Sequence, residues 1–248
     1  MGSLRYLTQA MPLLHLTSRI RSRIANVRLA AMLAFAAGLV DVSGFLGLKQ
    51  FTSHMTGITA ELAAGLGTDQ PGLLERSAVI FMSFLAGAAV CALLVNFSRR
   101  RERESLFALP LFLEAVLLAA VGVLVHGMTH GFLLLGVLAF AMGLQNAIIT
   151  KISDAEIRTT HVTGMVTDIG IELGRALYMS RNPAHEPIHV HRDRLGTLVL
   201  LVGAFFAGGL VAALVFPRFG FAAFIPLALL LAAPTLPPIV ADLRGMRS

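Results

Sequence analysis

Ser53-His54-Met55-Thr56-Gly57 occurs twice in this chain, the second time as Thr160-His161-Val162-Thr163-Gly164. Each copy follows an apolar run and opens a segment with an acid on the same face as its His: Glu61 in the first, Asp168 in the second. The segments, about residues 52–67 and 160–178, are too short and too charged for ordinary membrane helices. Those need about 20 apolar residues to cross roughly 30 Å of hydrocarbon. A His, a hydroxyl and a Gly at the mouth of a short helix, written twice, are what the fold turns on.

The rest of the sequence belongs to the membrane class. Of 248 residues, 56% are apolar and 14% charged, with a mean hydropathy of +0.78; soluble domains carry roughly 25% charged residues. The formal charge of +6 does not point to nucleic acid, because the arginines gather at the ends of apolar runs. There they set topology and meet anionic headgroups of the bilayer. The single cysteine, Cys91, leaves no intramolecular disulfide and no Cys-based metal site. No Gly-x4-Gly-Lys-Ser/Thr loop is present, which argues against a self-contained ATP-driven pump. Neither a cofactor, a resident metal nor an enzymatic reaction is expected.

Residues 1–28 hold Arg5, Arg19, Arg21, Arg23 and Arg28 without the apolar core of a cleavable signal, so they read as a basic cytoplasmic tail. One transmembrane domain then covers 29–240, with spans at about 29–48, 76–97, 106–126, 131–150, 195–216 and 219–240 and a tail at 241–248. Its halves, about 29–126 and 131–240, repeat one another in order. Ala34-Phe35-Ala36-Ala37-Gly38 matches Ala139-Phe140-Ala141-Met142-Gly143, which sets Asp41 opposite Asn146. The His segments align next, and Phe84-Leu85-Ala86-Gly87 matches Phe205-Phe206-Ala207-Gly208; Pro110 pairs with Pro226.

Charge counting sets the topology. If neither His segment crosses and the N-terminus is cytoplasmic, 17 of the 20 Lys and Arg face the cytoplasm, leaving Lys49, Arg76 and Arg218 outside. If both cross, the split falls to 12 against 8, and letting one cross does no better. Six spans give each half three crossings, so the expected fold is an all-α membrane protein with two short half-helices and an inverted 3+3 repeat. That is an architecture of secondary transporters.

The N-terminus of a half-helix at membrane depth offers bare N–H groups and a positive dipole end. Ser53 and Thr160 are the expected N-caps. The residues expected along a substrate or ion path are His54, Thr56, Gly57 and Glu61 with His161, Thr163, Gly164 and Asp168. Asp41, Gln145 and Asn146 stand near the span ends beside them, and Glu114 lies deeper in its span, with no acidic counterpart in the second half. Packing is the competing reading, since Thr and Gly serve helix contacts in membranes and a His can bond across helices. Glu114 could likewise pair with a buried Arg or His. Glu172 and Arg175 sit three apart, as a surface pair would. His185, His189 and His191, with Pro183 and Pro187 beside them, read as a solvated loop rather than a metal site.

These motifs, with Gly143-Leu144-Gln145-Asn146-Ala147, resemble the YoaK-like family of bacterial multi-pass membrane proteins, a domain-of-unknown-function family. The likeness runs from about residue 30 to 240. That family continues its first motif Gly-Asn-Thr, where this chain has Gly57-Ile58-Thr59. The resemblance implies a bacterial cytoplasmic-membrane location and supplies no substrate. The expected function is a secondary transporter of a small solute, its central site formed where the two half-helices meet. A passive pore is the alternative, and an intramembrane enzyme a more distant one.

Overall fold

Runs dominated by Ala, Leu, Val and Gly, with charges held to their ends, leave the backbone only helix as a way to satisfy its own hydrogen bonds in lipid. The computed structural model describes residues 23–101, 103, 105–125, 131–152, 161–178 and 190–245, and every element among them is helical. In chain order these are α1 (Arg23–Leu48), α2 (Met55–Gly67), α3 (Pro71–Arg100), α4 (Ala108–Leu124), α5 (Gly131–Ile152), α6 (Val162–Leu177) and α7 (Arg192–Phe219). A 3-10 turn (Gly220–Ala223), α8 (Phe224–Ala232), a second 3-10 turn (Ala233–Thr235) and α9 (Leu236–Leu243) complete the chain. α1, α3, α5 and the helical run Arg192–Leu243 are long and apolar enough to cross a membrane; α4 is apolar but shorter. The tail at 1–22, the loop at 126–130 and the insert at 181–189 lie outside the described residues.

The helices depart from the expected spans where prolines act. α3 begins at Pro71 rather than 76, because a proline at N1 presets the first turn. The last span, expected as one helix over 219–240, is instead broken into α8 and α9. Pro234, Pro237 and Pro238 lack the N–H groups a continuous ladder needs.

The four matched Phe-x-x-Gly stretches turn out to cross one another. A Cβ built on Gly38 would stand 1.9 Å from the carbonyl oxygen of Phe205, and one on Gly208 1.9 Å from that of Phe35. The second crossing repeats the first: a Cβ on Gly87 would lie 2.1 Å from the Phe140 oxygen, and one on Gly143 2.0 Å from that of Phe84. Backbones this close leave no room for any side chain at these positions. α1 therefore pairs with α7, and α3 with α5, each pair drawing one helix from either half of the sequence.

Further contacts fix direction. Gly47 faces Phe216 and Phe221, further along both helices than Gly38 and Phe205, so α1 and α7 run parallel. Gly136 faces Val79 and Ser83, so α3 and α5 are parallel too. α4 runs antiparallel to α8 and α9. Gly122 lies against Phe221 and Ile225, while Ser105, before the other end of α4, donates its N–H and hydroxyl to Asp242. The C-terminal ends of α1, α4 and α7 thus gather around the first 3-10 turn. Gly220, at φ +53°, lets the chain leave α7 there and return along α4. One core joins the helices, with Leu33, Leu111, Leu118, Leu144 and Phe224 wholly buried.

Candidate functional site

Asp41 organises the first His segment. After Leu48 the chain reverses through Lys49, whose φ is +56°. It then lies back over Gly44, where a Cβ would meet the Gln50 oxygen at 3.1 Å and the Thr52 methyl at 3.2 Å. The Asp41 carboxylate accepts the N–H and hydroxyl of Thr52, each at 2.9 Å, the Ser53 N–H at 2.9 Å, and the Ser53 hydroxyl. Asp41 precedes the end of α1 by two turns, so this connection re-enters the bundle by about 10 Å. A buried carboxylate is tolerated here because four donors surround it.

α2 starts at that depth and packs antiparallel on α3. Gly65 faces Leu74, the Ser77 hydroxyl donates to Glu61 at 2.7 Å, and Ile58 is buried with Ile80. The expected cap is corrected by one residue. α2 begins at Met55, so its N-cap is His54, which makes no side-chain cap bond, while the Ser53 hydroxyl donates to Asp41. The His54 ring lies over Gly57, its Cδ2 3.0 Å from where a Cβ would stand, and its centroid is 6.2 Å from that of Phe51. Thr56 is exposed. Glu61, expected along a path, is engaged by Ser77 and by the Gln50 amide at 2.8 Å. Ile58, the departure from the family motif, serves packing: it is buried against α3 and against Leu135 and Ala139 of α5.

The second copy has the same hairpin form on α7. α6 begins at Val162 with His161 as N-cap; Thr160, the expected cap, lies outside the described residues. His161, Thr163 and Gly164 are exposed. Asp168 is paired with Arg194 at 2.9 Å. Glu172 and Arg175 pair at 2.7 Å as their spacing suggests, but Glu172 is buried rather than on the surface. The His191 backbone N–H also donates to Glu172 at 3.0 Å, and this bond, with the Arg175 charge, holds its carboxyl below the ordinary glutamate range.

α2 packs on α3 and α6 on α7, and among the described residues the two half-helices share no substantial contact, so the packing gives no support to a meeting of the two His segments. What occupies the interior is different. Gln145 is wholly buried and donates its amide to the Leu33 oxygen at 2.8 Å, bridging α5 to α1; its own Oε1 has no partner. Asn146, the counterpart of Asp41, donates to the Met142 oxygen one turn back. Glu114 is wholly buried and neither carboxylate oxygen has a hydrogen-bond donor, so among the described residues the Arg or His partner that a structural role predicts is not there.

Among the described residues no three His, Cys, Asp or Glu side chains gather as metal ligands would. A zinc-binding His-Glu-x-x-His is not absent from the sequence, since His185-Glu186-Pro187-Ile188-His189 has that spacing. That stretch lies outside the described residues.

A family model described as a protein of unknown function, DUF1275, matches residues 29–236. A relative in Bacillus subtilis (strain 168), the UPF0700 transmembrane protein YoaK, is 26% identical over 156 residues, covering 62% of this chain and 69% of that protein. No solved structure matches.

Proposed function

The chain belongs to the DUF1275 family and is similar to a transmembrane protein, YoaK of Bacillus subtilis, and on that premise we propose that it is a secondary transporter of a small solute. The observation that carries the reading is the return of residues 49–53 to Asp41, which starts a half-length helix inside the bundle. Irregular backbone at that depth is tolerated where it lines a cavity, and transporters use such discontinuous helices for their sites. The antiparallel contact of α4 with α8 and α9, and the exchange of Phe-x-x-Gly helices between the halves, support six spans in an inverted 3+3 repeat. The positive-inside count supports cytoplasmic termini and an inner-membrane location.

In this reading α2 and α6 enter from opposite faces, and His54 and Thr56 line one vestibule while His161 and Thr163 line the other. Gln145 and Glu114 occupy the layer between them. A thermal-shift screen of the purified protein against small metabolites tests the site. A ligand that stabilises the wild type and loses its effect in His54→Ala and His161→Ala supports it; stabilisation that survives removal of both His and both Thr refutes it. Single-cysteine labelling tests the architecture, since residues 67–70 and 98–101 must report opposite sides of the membrane. The native Cys91 is buried and adds little background.

A further inference from the structure

Glu114 is the one wholly buried acid among the described residues whose two oxygens both lack a donor. Asp41, by contrast, has four donors, and Glu172 has an arginine and a backbone N–H. The position of Glu114 adds to the contrast. It lies about two turns before Gly122, which meets the first 3-10 turn, and about two and a half turns after Ser105, which meets Asp242. At 1.5 Å per residue it is roughly 12 to 14 Å from either end of the α4 contact, the middle of the bundle.

The groups around it leave it uncompensated. Of the elements packed on α4, α8 and both 3-10 turns carry no ionisable residue. α9 carries Asp242, held by Ser105. α5 carries Lys151 in its last turn. α3 carries Glu75 and Arg76 in its first turns, Arg99 and Arg100 in its last, and between them the buried Cys91, whose thiol is within electrostatic reach of both Glu114 and Lys151. None of these pairs with Glu114. An ionised carboxylate at this place would have neither donor nor counter-ion, whereas the acid form is neutral and can be buried like an amide. A hard cation bound there would need several oxygen ligands, and among the described residues no three His, Cys, Asp or Glu side chains gather as metal ligands would.

We propose that Glu114 is the coupling-ion site of the transporter and that the ion is a proton, which adds to its carboxylate from one face of the bundle and leaves it toward the other. This rests on the transporter reading for its purpose but not for its test. A midplane carboxyl with no fixed partner can be served by either face in turn, which a carboxylate locked by donors, such as Asp41, cannot.

The experiment is infrared difference spectroscopy of the full-length protein in liposomes, titrated with pH in light and heavy water. The expected result is a carboxylic-acid carbonyl band that shifts in heavy water, disappears in Glu114→Gln and persists in Glu61→Gln. Glu114→Gln should fold with an unchanged thermal midpoint, since Gln reproduces the shape of the neutral acid; should it not fold, Glu114→Asp must move the band. Absence of such a band at every pH where the protein is folded overturns the proposal, as does a band indifferent to both substitutions. Stabilisation by sodium ions that vanishes in Glu114→Gln also overturns it, by naming a different ion. The two readings fail separately. A Glu114 band without any solute flux driven by a pH gradient keeps the proton site, while solute flux without the band removes it.

Discussion

Replacing Gly38 by Ala puts a methyl group where the structure has another helix's backbone. The new Cβ would stand 1.9 Å from the Phe205 carbonyl oxygen, and real Cβ atoms do not come closer than about 3.0 Å, so α1 and α7 must separate by about 1.1 Å at their crossing. The obstacle is main chain on both sides and cannot rotate away. A gap of that size forfeits a quarter to a half of each contact's dispersion energy around it, which here means the contacts of Phe35, Leu39, Val42 and Gly209. Overpacking of this kind costs about 1–3 kcal/mol, and a backbone clash belongs at the upper end. Ala also gains up to about 1 kcal/mol over Gly in helix propensity, so the net loss is about 2 kcal/mol. The matched control is Gly203→Ala on α7, where a Cβ meets nothing within 4 Å; it should be neutral or gain up to about 1 kcal/mol. Unfolding in mixed micelles, followed by midpoint and slope, separates the two. Gly38→Ala with Gly208→Ala, at the same crossing, should cost less than the sum by at least about 0.5 kcal/mol, because the first methyl has already parted the helices. Gly38→Ala with Gly143→Ala, at different crossings, should add. If Gly38→Ala unfolds like Gly203→Ala, the crossing is not there and the pairing of α1 with α7 is wrong.

Asp41→Ala strands the Thr52 and Ser53 N–H groups in the bundle and should cost about 3 kcal/mol, with Asp41→Asn intermediate; labelling of cysteines placed at 50–53 should speed up, and unchanged labelling contradicts the anchoring. Ser105→Ala removes the donor that ties the start of α4 to Asp242 and should cost about 1 kcal/mol, an effect that vanishes in an Asp242→Ala background if the two groups act as one contact. Glu172 has a folded-state value below the ordinary one, so its anchoring of α6 to the start of α7 is fully present above about pH 4.5 and is lost as pH falls through the lower folded value. A cysteine at Arg192 should therefore label faster on acidification, and Glu172→Gln should label fast at every pH; a pH response that persists in Glu172→Gln would falsify that assignment.

Periodicity of composition and charge made the membrane class, the helices and the repeated stretches readable from the chain, because those depend on local sequence and on the bilayer's fixed thickness. What could not be read was which helix each stretch would meet. Phe35-Ala36-Ala37-Gly38 and Phe205-Phe206-Ala207-Gly208 look like separate repeats, and only the fold shows them pressed together. The break between α8 and α9 is legible in Pro234, Pro237 and Pro238, although the stretch has the composition of one apolar run. At the candidate site, the pairing of Glu172 with Arg175 follows from helix spacing. The bonds of Glu61 to Gln50 and Ser77, and of Asp168 to Arg194, join residues on different elements and leave no local trace. Asp41 was recognised as a polar residue near a span end; its grip on Thr52 and Ser53 needed a loop that turns back, signalled only by Lys49 in the left-handed region.

The exchange of helices between the halves changes what can move against what. α1, α7 and α6 form one packed unit, and α5, α3 and α2 the other, so each unit carries one half-helix and draws on both halves of the sequence. Polar ties cross between the units, among them Asp41 of α1, which holds the connection that leads into α2, and Gln145 of α5, which holds the Leu33 oxygen of α1. Any motion that parts the units must break or stretch one tie while the tight glycine crossings inside each unit stay closed. Such a motion would expose the buried layer between α1 and α5, where Gln145 lies, and α4 with its Glu114 packs on the α3 and α5 side of that layer. Relative motion of these mixed units keeps both backbone–backbone crossings closed, whereas motion of the two sequence halves against each other would open them.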